Sequence, residues 1–337
     1  MSSPDPTPVI DLIEAFRRSK TMFAAVKLGV FDRLERGPAD AATLATELDA
    51  QTEPLERLLD ACAGLGLLGR QDGRYANKPV AAEYLCRSSE HALTGYILYS
   101  NDVLFQVWAH LEDAVREGSH RWKQTFGLTG PIFDHFFKTD EAMRTFLMGM
   151  HGFGVLSSPK VVAVFDLSRF QKLVDLGGAT GHLAIAACER YPELQAAVFD
   201  LPRVIEVARE EVGRSSVASR IELLAGDFFR DALPEADLYS VGRILHDWSE
   251  DKIRALLEKI YARLPSGGGL LIAEKLLAED KTGPTPAHMQ SLNMLVCTEG
   301  KERTVGEYRA LLEAAGFADV QGRRTGAPLD AVLALKK

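Results

Sequence analysis

The stretch Leu173-Val-Asp-Leu-Gly-Gly-Ala-Thr-Gly181 decides the fold. An apolar run ends in an acid and breaks into glycines, and Leu183-Ala-Ile-Ala-Ala187 follows with the composition of a helix start. A strand over 172–176 that turns through glycines into a helix leaves the backbone open to close approach, and the helix N-terminus adds amide donors and a favourable dipole for an anionic group. Asp200 closes the next apolar run, Gln195-Ala-Ala-Val-Phe-Asp200, nineteen residues beyond Gly181. An acid there holds both hydroxyls of a ribose. Together the two features predict a nucleotide-type cofactor.

The spacing discriminates between cofactors. A dinucleotide turn needs G-x-G-x-x-G, and if Gly178 and Gly181 are its last two glycines the first falls on Leu176. Asp175, just ahead of Gly177, repels a pyrophosphate but accepts from the ammonium of an aminoacyl group, which favours S-adenosylmethionine. The pattern Asp175-x-Gly177-x-Ala179-x-Gly181 resembles the D/E-x-G-x-G-x-G first motif of class I methyltransferases, with Ala179 where that motif usually has glycine. Proposed strands at 172–176, 195–199, 220–224, 237–242 and 269–274 alternate with helices. They predict an α/β, Rossmann-like domain with a parallel sheet, helices on both faces and the ligand beyond the C-terminal strand ends. Those ends carry Asp175, Asp200, Gly226-Asp227-Phe228, Arg243, His246 and Glu274. Asp227 can accept from an adenine amino group while Phe228 stacks on its face. His246, in Gly242-Arg-Ile-Leu-His-Asp-Trp248, suits a base that removes a phenolic proton as the oxygen attacks a methyl sulfonium, since an imidazole pKa lies near 6.5.

The rest of the chain bounds this reading. Its 337 residues, 46% hydrophobic and 26% charged, predict two globular domains. A net charge of −8 disfavours nucleic acid and anionic lipid as partners, and no apolar run approaches the roughly 20 residues of a membrane span. Met1-Ser-Ser-Pro-Asp-Pro-Thr-Pro8 lacks the regions of a signal peptide and predicts a frayed tail. Four scattered cysteines without C-x-x-C fit reduced thiols, a cytoplasmic location and no structural metal. Residues 9 to about 110 predict a mainly helical region with a winged helix: one helix over Ala41–Leu48, a turn at Gln51-Thr52 with Thr52 capping, a second helix over Pro54–Leu68, and a hairpin over Gly69–Tyr75. The would-be recognition helix begins Glu53-Pro-Leu-Glu-Arg-Leu-Leu-Asp60, three acids against Arg57, which argues for a packing or dimerisation role over DNA. Phe146-Leu-Met-Gly-Met-His-Gly-Phe153, within a second helical stretch, reads equally as core or as one wall of an aromatic pocket, with Met150 facing substrate.

Over nearly its whole length the chain resembles the plant-type, cation-independent O-methyltransferases, most closely their acetylserotonin branch. The resemblance rests on Asp175-Leu-Gly-Gly178, Val198-Phe-Asp-Leu-Pro202, Ala225-Gly-Asp-Phe-Phe229, Leu233-Pro-Glu-Ala-Asp-Leu-Tyr239, Arg243-Ile-Leu-His-Asp-Trp248, Ser291-Leu-Asn-Met-Leu-Val296 and Thr298-Glu-Gly-Lys-Glu-Arg-Thr304. It implies a winged-helix dimerisation domain over 1–110, a helical connector and pocket wall over 111–165, and an S-adenosylmethionine-binding catalytic domain over 166–337. It further implies a homodimer methylating a hydroxyl of a small phenol or hydroxyindole, with S-adenosylhomocysteine as product. His246 is the implied base, and Asp247, Glu274 and Glu302 its orienting acids. Cofactor contacts fall on Asp175, Gly177, Gly178, Asp200, Leu201, Gly226, Asp227, Phe228 and Arg243, and substrate contacts on Met150, Asn293 and Cys297. Asn293 falls where the acetylserotonin enzymes hold their substrate amide. Cys297 stands where they carry glutamine, which argues against acetylserotonin itself while leaving phenol methylation in place. Phe137 replaces a cofactor-side tyrosine and Gly154 a tryptophan. Two alternatives stay open at this point: a non-catalytic cofactor-binding relative, and a member doing hydroxylation or decarboxylation.

Overall fold

The computed structural model describes residues 3–130 and 132–337, so Met1 and Ser2 of the expected tail lie outside the described residues. The chain divides into two compact units, Met1–Gln106 and Val107–Lys337.

In the first unit, helix Thr7–Leu28 stops at Gly29, whose φ of +79° reverses the chain into the short helix Val30–Leu34. Asp40 caps helix Ala41–Glu47 by accepting from the Thr43 amide at 2.8 Å. The next helix is Thr52–Gly64, and the expected boundaries need correction here. Thr52 lies inside the helix without capping it, and the helix ends before Leu68, because Gly66 at φ +78° turns the chain so that Leu68 pairs with Asn77. Strands Leu68–Gln71 and Arg74–Asn77 form the expected hairpin around Asp72-Gly73, both at positive φ as a two-residue turn demands. The acids of the second helix are tied to this wing: Arg70 bridges Glu56 and Asp60, each at 2.8 Å, and the Tyr75 hydroxyl donates to Asp60 at 2.7 Å. Val9, Ile10, Leu12, Ile13 and Phe16 on the first helix are 49–76% exposed, an apolar stripe that this unit leaves uncovered.

The second unit is built on a seven-stranded sheet. We label its strands β1 (Lys172–Leu176), β2 (Gln195–Asp200), β3 (Ile221–Ala225), β4 (Leu238–Gly242), β5 (Gly269–Glu274), β6 (Ala318–Arg323) and β7 (Asp330–Leu335), and its main helices α1 (Asp140–Val161), α2 (His182–Arg190), α3 (Pro202–Arg214), α4 (Glu250–Arg263), α5 (Thr285–Cys297) and α6 (Val305–Ala314). The order is β6-β7-β5-β4-β1-β2-β3. Strands β1 to β5 pair in parallel, as their apolar composition predicts for a sheet covered on both faces. The antiparallel edge, β7 against β5 and β6 against β7, was not foreseen. Its signal was Asp330-Ala-Val-Leu-Ala-Leu335, a buried apolar run reached from β6 by a short connection that leaves no room for a crossover helix.

Alternation along each strand sends Leu173, Ala196, Val198 and Leu238 to the face covered by α2 and α3, and Val174, Ala197, Phe199, Tyr239 and Val241 to the face covered by α4 and α6. Strand order reverses at β1, which lies between β2 and β4, so the connections leave in opposite directions. That divergence opens a crevice beyond the C-terminal ends of β1 and β4.

Candidate active site

The turn after β1 is shaped by steric exclusion. A Cβ on Gly177 would lie 2.5 Å from Ile244 Cδ1 and one on Gly178 2.7 Å from Asp175 Oδ2; just beyond β3, one on Gly226 would lie 2.3 Å from the Phe199 ring. Gly177 and Gly181 have φ of +67° and +82°. Asp200 accepts from the Ala179 amide at 2.9 Å and from the Leu201 amide at 2.7 Å, joining the end of β2 to the turn. Asp175 is buried and accepts from the Ser240 hydroxyl at 2.6 Å. Burial pushes the Asp175 carboxyl up to about 7 against that hydrogen bond, and pushes Asp200 up to about 6 against its two amide donors. An ammonium and a ribose diol are the partners that would return these acids to the charged form. Asp227 caps its own turn, accepting from the Phe229 amide at 2.8 Å, and Phe228 borders Gly177. Arg243 holds a φ of +58° at the end of β4, and its buried Nε has no partner among the described residues. A bulky residue in left-handed backbone marks a functional position, and an orphaned guanidinium nitrogen fits the carboxylate of an aminoacyl group.

Ala179 also takes the left-handed conformation, with φ +50°. This strains the turn by roughly 1 kcal/mol, more than the roughly 0.5 kcal/mol of extra unfolded-state entropy that glycine brings. Ala179→Gly should therefore raise the urea stability slightly, by about 0.5 kcal/mol. A fall would show instead that the methyl group's packing in the cluster with Leu201, Val204, Val207, Met143 and Phe137 outweighs the strain.

The second half of the site is the short turn Leu245–Asp247 after β4. His246 is 3% exposed. Its Nδ1 lies 2.7 Å from Glu302 Oε1, and its Nε2 lies 3.7 Å from Asp247 Oδ1. Glu274 plays a different part from the one expected beside the imidazole. Its Oε1 accepts from the backbone amides of Ile244, Leu245 and His246 at 3.2, 2.7 and 3.1 Å, and its Oε2 accepts from the Tyr308 hydroxyl. Glu302 thus orients the ring, and Glu274 holds the backbone that carries it. His246, Glu274 and Glu302 present ligand-type atoms within 4.8 Å of one another, but Nδ1 and both Glu274 oxygens are engaged by other groups of the chain.

Burial pushes the His246 imidazole down, but Glu302 and Asp247 together outweigh it and raise the pKa to about 9; burial raises Asp247 to about 7. A histidine whose folded pKa lies above its unfolded value of about 6.5 adds stability that is complete below 6.5 and disappears as pH rises through 9. Between pH 7.5 and 8.5 His246 should by itself take about 1 kcal/mol from the unliganded protein in urea denaturation, read as the difference between the parent and His246→Asn, because the thiols of the unfolded chain ionise in the same window and add an equal slope to both.

Asn293 and Cys297, the expected substrate contacts, lie on α5, four residues apart and both buried. Asn293 Oδ1 accepts from Trp108 Nε1 at 2.8 Å, which leaves Nδ2 as the group it can offer. Burial pushes the Cys297 thiol well up, so it stays protonated. Met150 is half-buried on α1. The sequence reading missed Trp108, Tyr308, Ser240 and Gly300, each distant in sequence from the residue it positions. A Cβ on Gly300 would lie 2.3 Å from the His246 carbonyl oxygen.

Among the described residues no helix is long and apolar enough to cross a membrane. Residues 108–318 match the profile of the O-methyltransferase domain, and residues 10–87 that of the O-methyltransferase dimerisation domain. The chain is 41% identical to acetylserotonin O-methyltransferase of Gallus gallus, across 98% of this chain and 97% of that one. It is 44% identical to a human protein described as a probable bifunctional dTTP/UTP pyrophosphatase/methyltransferase, spanning 99% of this chain but 54% of that longer one. The solved structure of human N-acetylserotonin methyltransferase in complex with S-adenosylmethionine superposes with a TM-score of 0.94 at 39% identity, covering 100% of this chain and 99% of the other.

Proposed function

This chain belongs to the O-methyltransferase family, and from that premise we propose that it moves a methyl group from S-adenosylmethionine to a hydroxyl of a small phenol or hydroxyindole. The observation that carries this reading is the His246–Glu302 contact of 2.7 Å, in a turn anchored by Glu274 beside the crevice that the glycine turn faces. When bound, the cofactor supplies an electrophilic methyl on a sulfonium. Asp175 holds its ammonium, Arg243 its carboxylate and Asp200 its ribose. Gly177, Gly178 and Gly226 admit it against the backbone, Leu201 adds apolar contact, and Asp227 with Phe228 takes the adenine. His246 Nε2 accepts the proton of the acceptor hydroxyl, and Glu302 stabilises the imidazolium that results. The oxygen–carbon bond forms as the carbon–sulfur bond breaks, giving an aryl methyl ether and S-adenosylhomocysteine. The test is incubation of the full chain with labelled S-adenosylmethionine and a panel of phenols and hydroxyindoles. Label should appear in an alkali-stable ether; cofactor binding with no transfer to any acceptor would overturn the reading.

The pocket's polar groups narrow the substrate. With its oxygen taken by Trp108, Asn293 offers a donor, and Cys297 offers a protonated, weakly polar thiol. The preferred acceptor carries a hydrogen-bond acceptor at the end remote from its hydroxyl and no amide N–H in need of a partner. Cys297→Gln should raise kcat/KM for acetylserotonin about tenfold, the worth of one neutral hydrogen bond in a buried site, read against a simple phenol whose rate stays unchanged.

The division into a dimerisation domain over 1–110, a pocket wall with Met150 over 111–165 and a catalytic domain over 166–337 belongs to the same proposal. The exposed stripe of Val9, Ile10, Leu12, Ile13 and Phe16 supports pairing of two copies through the first of these. Sedimentation should give twice the chain mass.

A further inference from the structure

Helix α1 meets the start of α2 at a contact that the reaction above does not use. A Cβ on Gly154 would lie 2.2 Å from His182 Cδ2 and 2.4 Å from both Cγ and Nε2. Any side chain at 154 needs the volume that the imidazole already fills, so Gly154 and His182 are two halves of one packing solution. The ring is fixed in that place, with Nδ1 2.9 Å from Ser158 Oγ, one helical turn beyond Gly154 on α1. Beside it, His151 Nδ1 lies 2.8 Å from Thr180 Oγ1 within the glycine turn, and the two imidazole centroids are 6.5 Å apart. His182 is the first residue of α2, next to Gly181, so its ring stands on the turn that faces the cofactor.

We propose that the imidazole of His182 forms the aromatic wall of the cofactor site from the glycine turn, taking over the place that a side chain at 154 would fill, so that Gly154 is a compensated exchange and not a loss. This rests on the S-adenosylmethionine reading. Burial, with His151 and Arg243 acting in the same direction, pushes the ring's pKa down to about 3, which keeps it neutral beside a cationic ligand. A neutral flat ring next to a sulfonium attracts it, where a charged one would repel it.

Calorimetric titration of the full chain with S-adenosylmethionine and with S-adenosylhomocysteine decides the matter. His182→Ala should weaken binding of S-adenosylmethionine about tenfold, and His182→Phe should stay within about threefold of the parent because the wall is kept. Gly154→Trp should weaken binding at least about thirtyfold by collision with the ring, and Gly154→Trp combined with His182→Ala should recover to within about threefold. Parent-like binding by His182→Ala, or a double variant no better than Gly154→Trp, overturns the proposal. If Gly154→Trp does not fold, the contrast between His182→Ala and His182→Phe decides alone, and equal losses in both count against the wall. A parent chain that binds neither compound brings down the cofactor reading itself, an outcome distinct from every variant result.

Discussion

His246→Ala should lower kcat on the order of 10³-fold while the dissociation constant for S-adenosylmethionine changes less than about threefold. A positioned base supplies roughly 10² to 10⁴ in rate, and the cofactor contacts proposed here lie on other residues. Truncation also leaves the buried Glu302 without its ring partner, so His246→Asn, which keeps an N–H on that side, separates loss of the base from loss of fold. The pH profile carries more information than the rate. Glu302 and Asp247 overcome the burial of His246 and hold it up to about 9, so the free imidazole is a minority near neutrality. In the parent, kcat/KM should rise with pH and level off near 9. In His246→Ala the residual rate should follow the phenolate fraction, about tenfold per pH unit up to the phenol's own pKa near 10. Glu302→Gln removes the largest upward influence on the ring, and its profile should level off at lower pH. An unchanged profile in Glu302→Gln would dissociate Glu302 from the base.

Gly300→Ala should carry the next largest cost, about tenfold smaller, although it removes no functional group. Its new methyl would sit 2.3 Å from the His246 carbonyl oxygen, 2.8 Å from its carbonyl carbon and 2.9 Å from the Trp248 nitrogen, all of them backbone atoms that no rotamer change can move aside. The turn also bonds to this segment through the Glu299 amide and the Asp247 carbonyl at 3.1 Å, so the two backbones must separate together. Relief needs a displacement of about 1 Å, and misplacement on that scale costs on the order of 10²-fold in rate. Overpacking of this kind also destabilises by about 1 to 3 kcal/mol. We expect kcat to fall about 10²-fold with a much smaller loss of cofactor affinity, since Asp175 lies on β1, Asp200 on β2 and the glycine turn between β1 and α2, and of the proposed cofactor contacts only Arg243 adjoins the displaced turn. Parent-like turnover would show that the segment yields instead of the His246 turn.

The two expected results divide along the line between what was legible in the chain and what was not. The glycine turn, Asp200 and the strand-end placement of His246 could be read directly, because a βα turn is a local event and parallel strands deliver their C-terminal ends to one edge. The winged helix was legible for the same reason, its helices and hairpin being encoded within short windows, although its second helix starts two residues and ends four residues earlier than the sequence predicts. The antiparallel edge strands escaped because an apolar run near the chain's end carries no sign of the partner it pairs with.

Sequence by itself determined the α/β class, the kind of cofactor turn and the family, since each rests on residues a few positions apart whose backbone conformations are set by glycine, proline and apolar period. Tertiary structure alone decided how the acids share their work. Glu274, Glu302 and Tyr308 reach the His246 turn from separate elements, and only folding places one carboxylate under three backbone amides and another against the imidazole. The same holds for Gly154 and His182, which read singly as a departure and an ordinary histidine and share one volume only when α1 packs on α2. Side-chain roles of this sort follow from excluded volume and from which donors burial leaves within reach, and neither quantity exists along an unfolded chain.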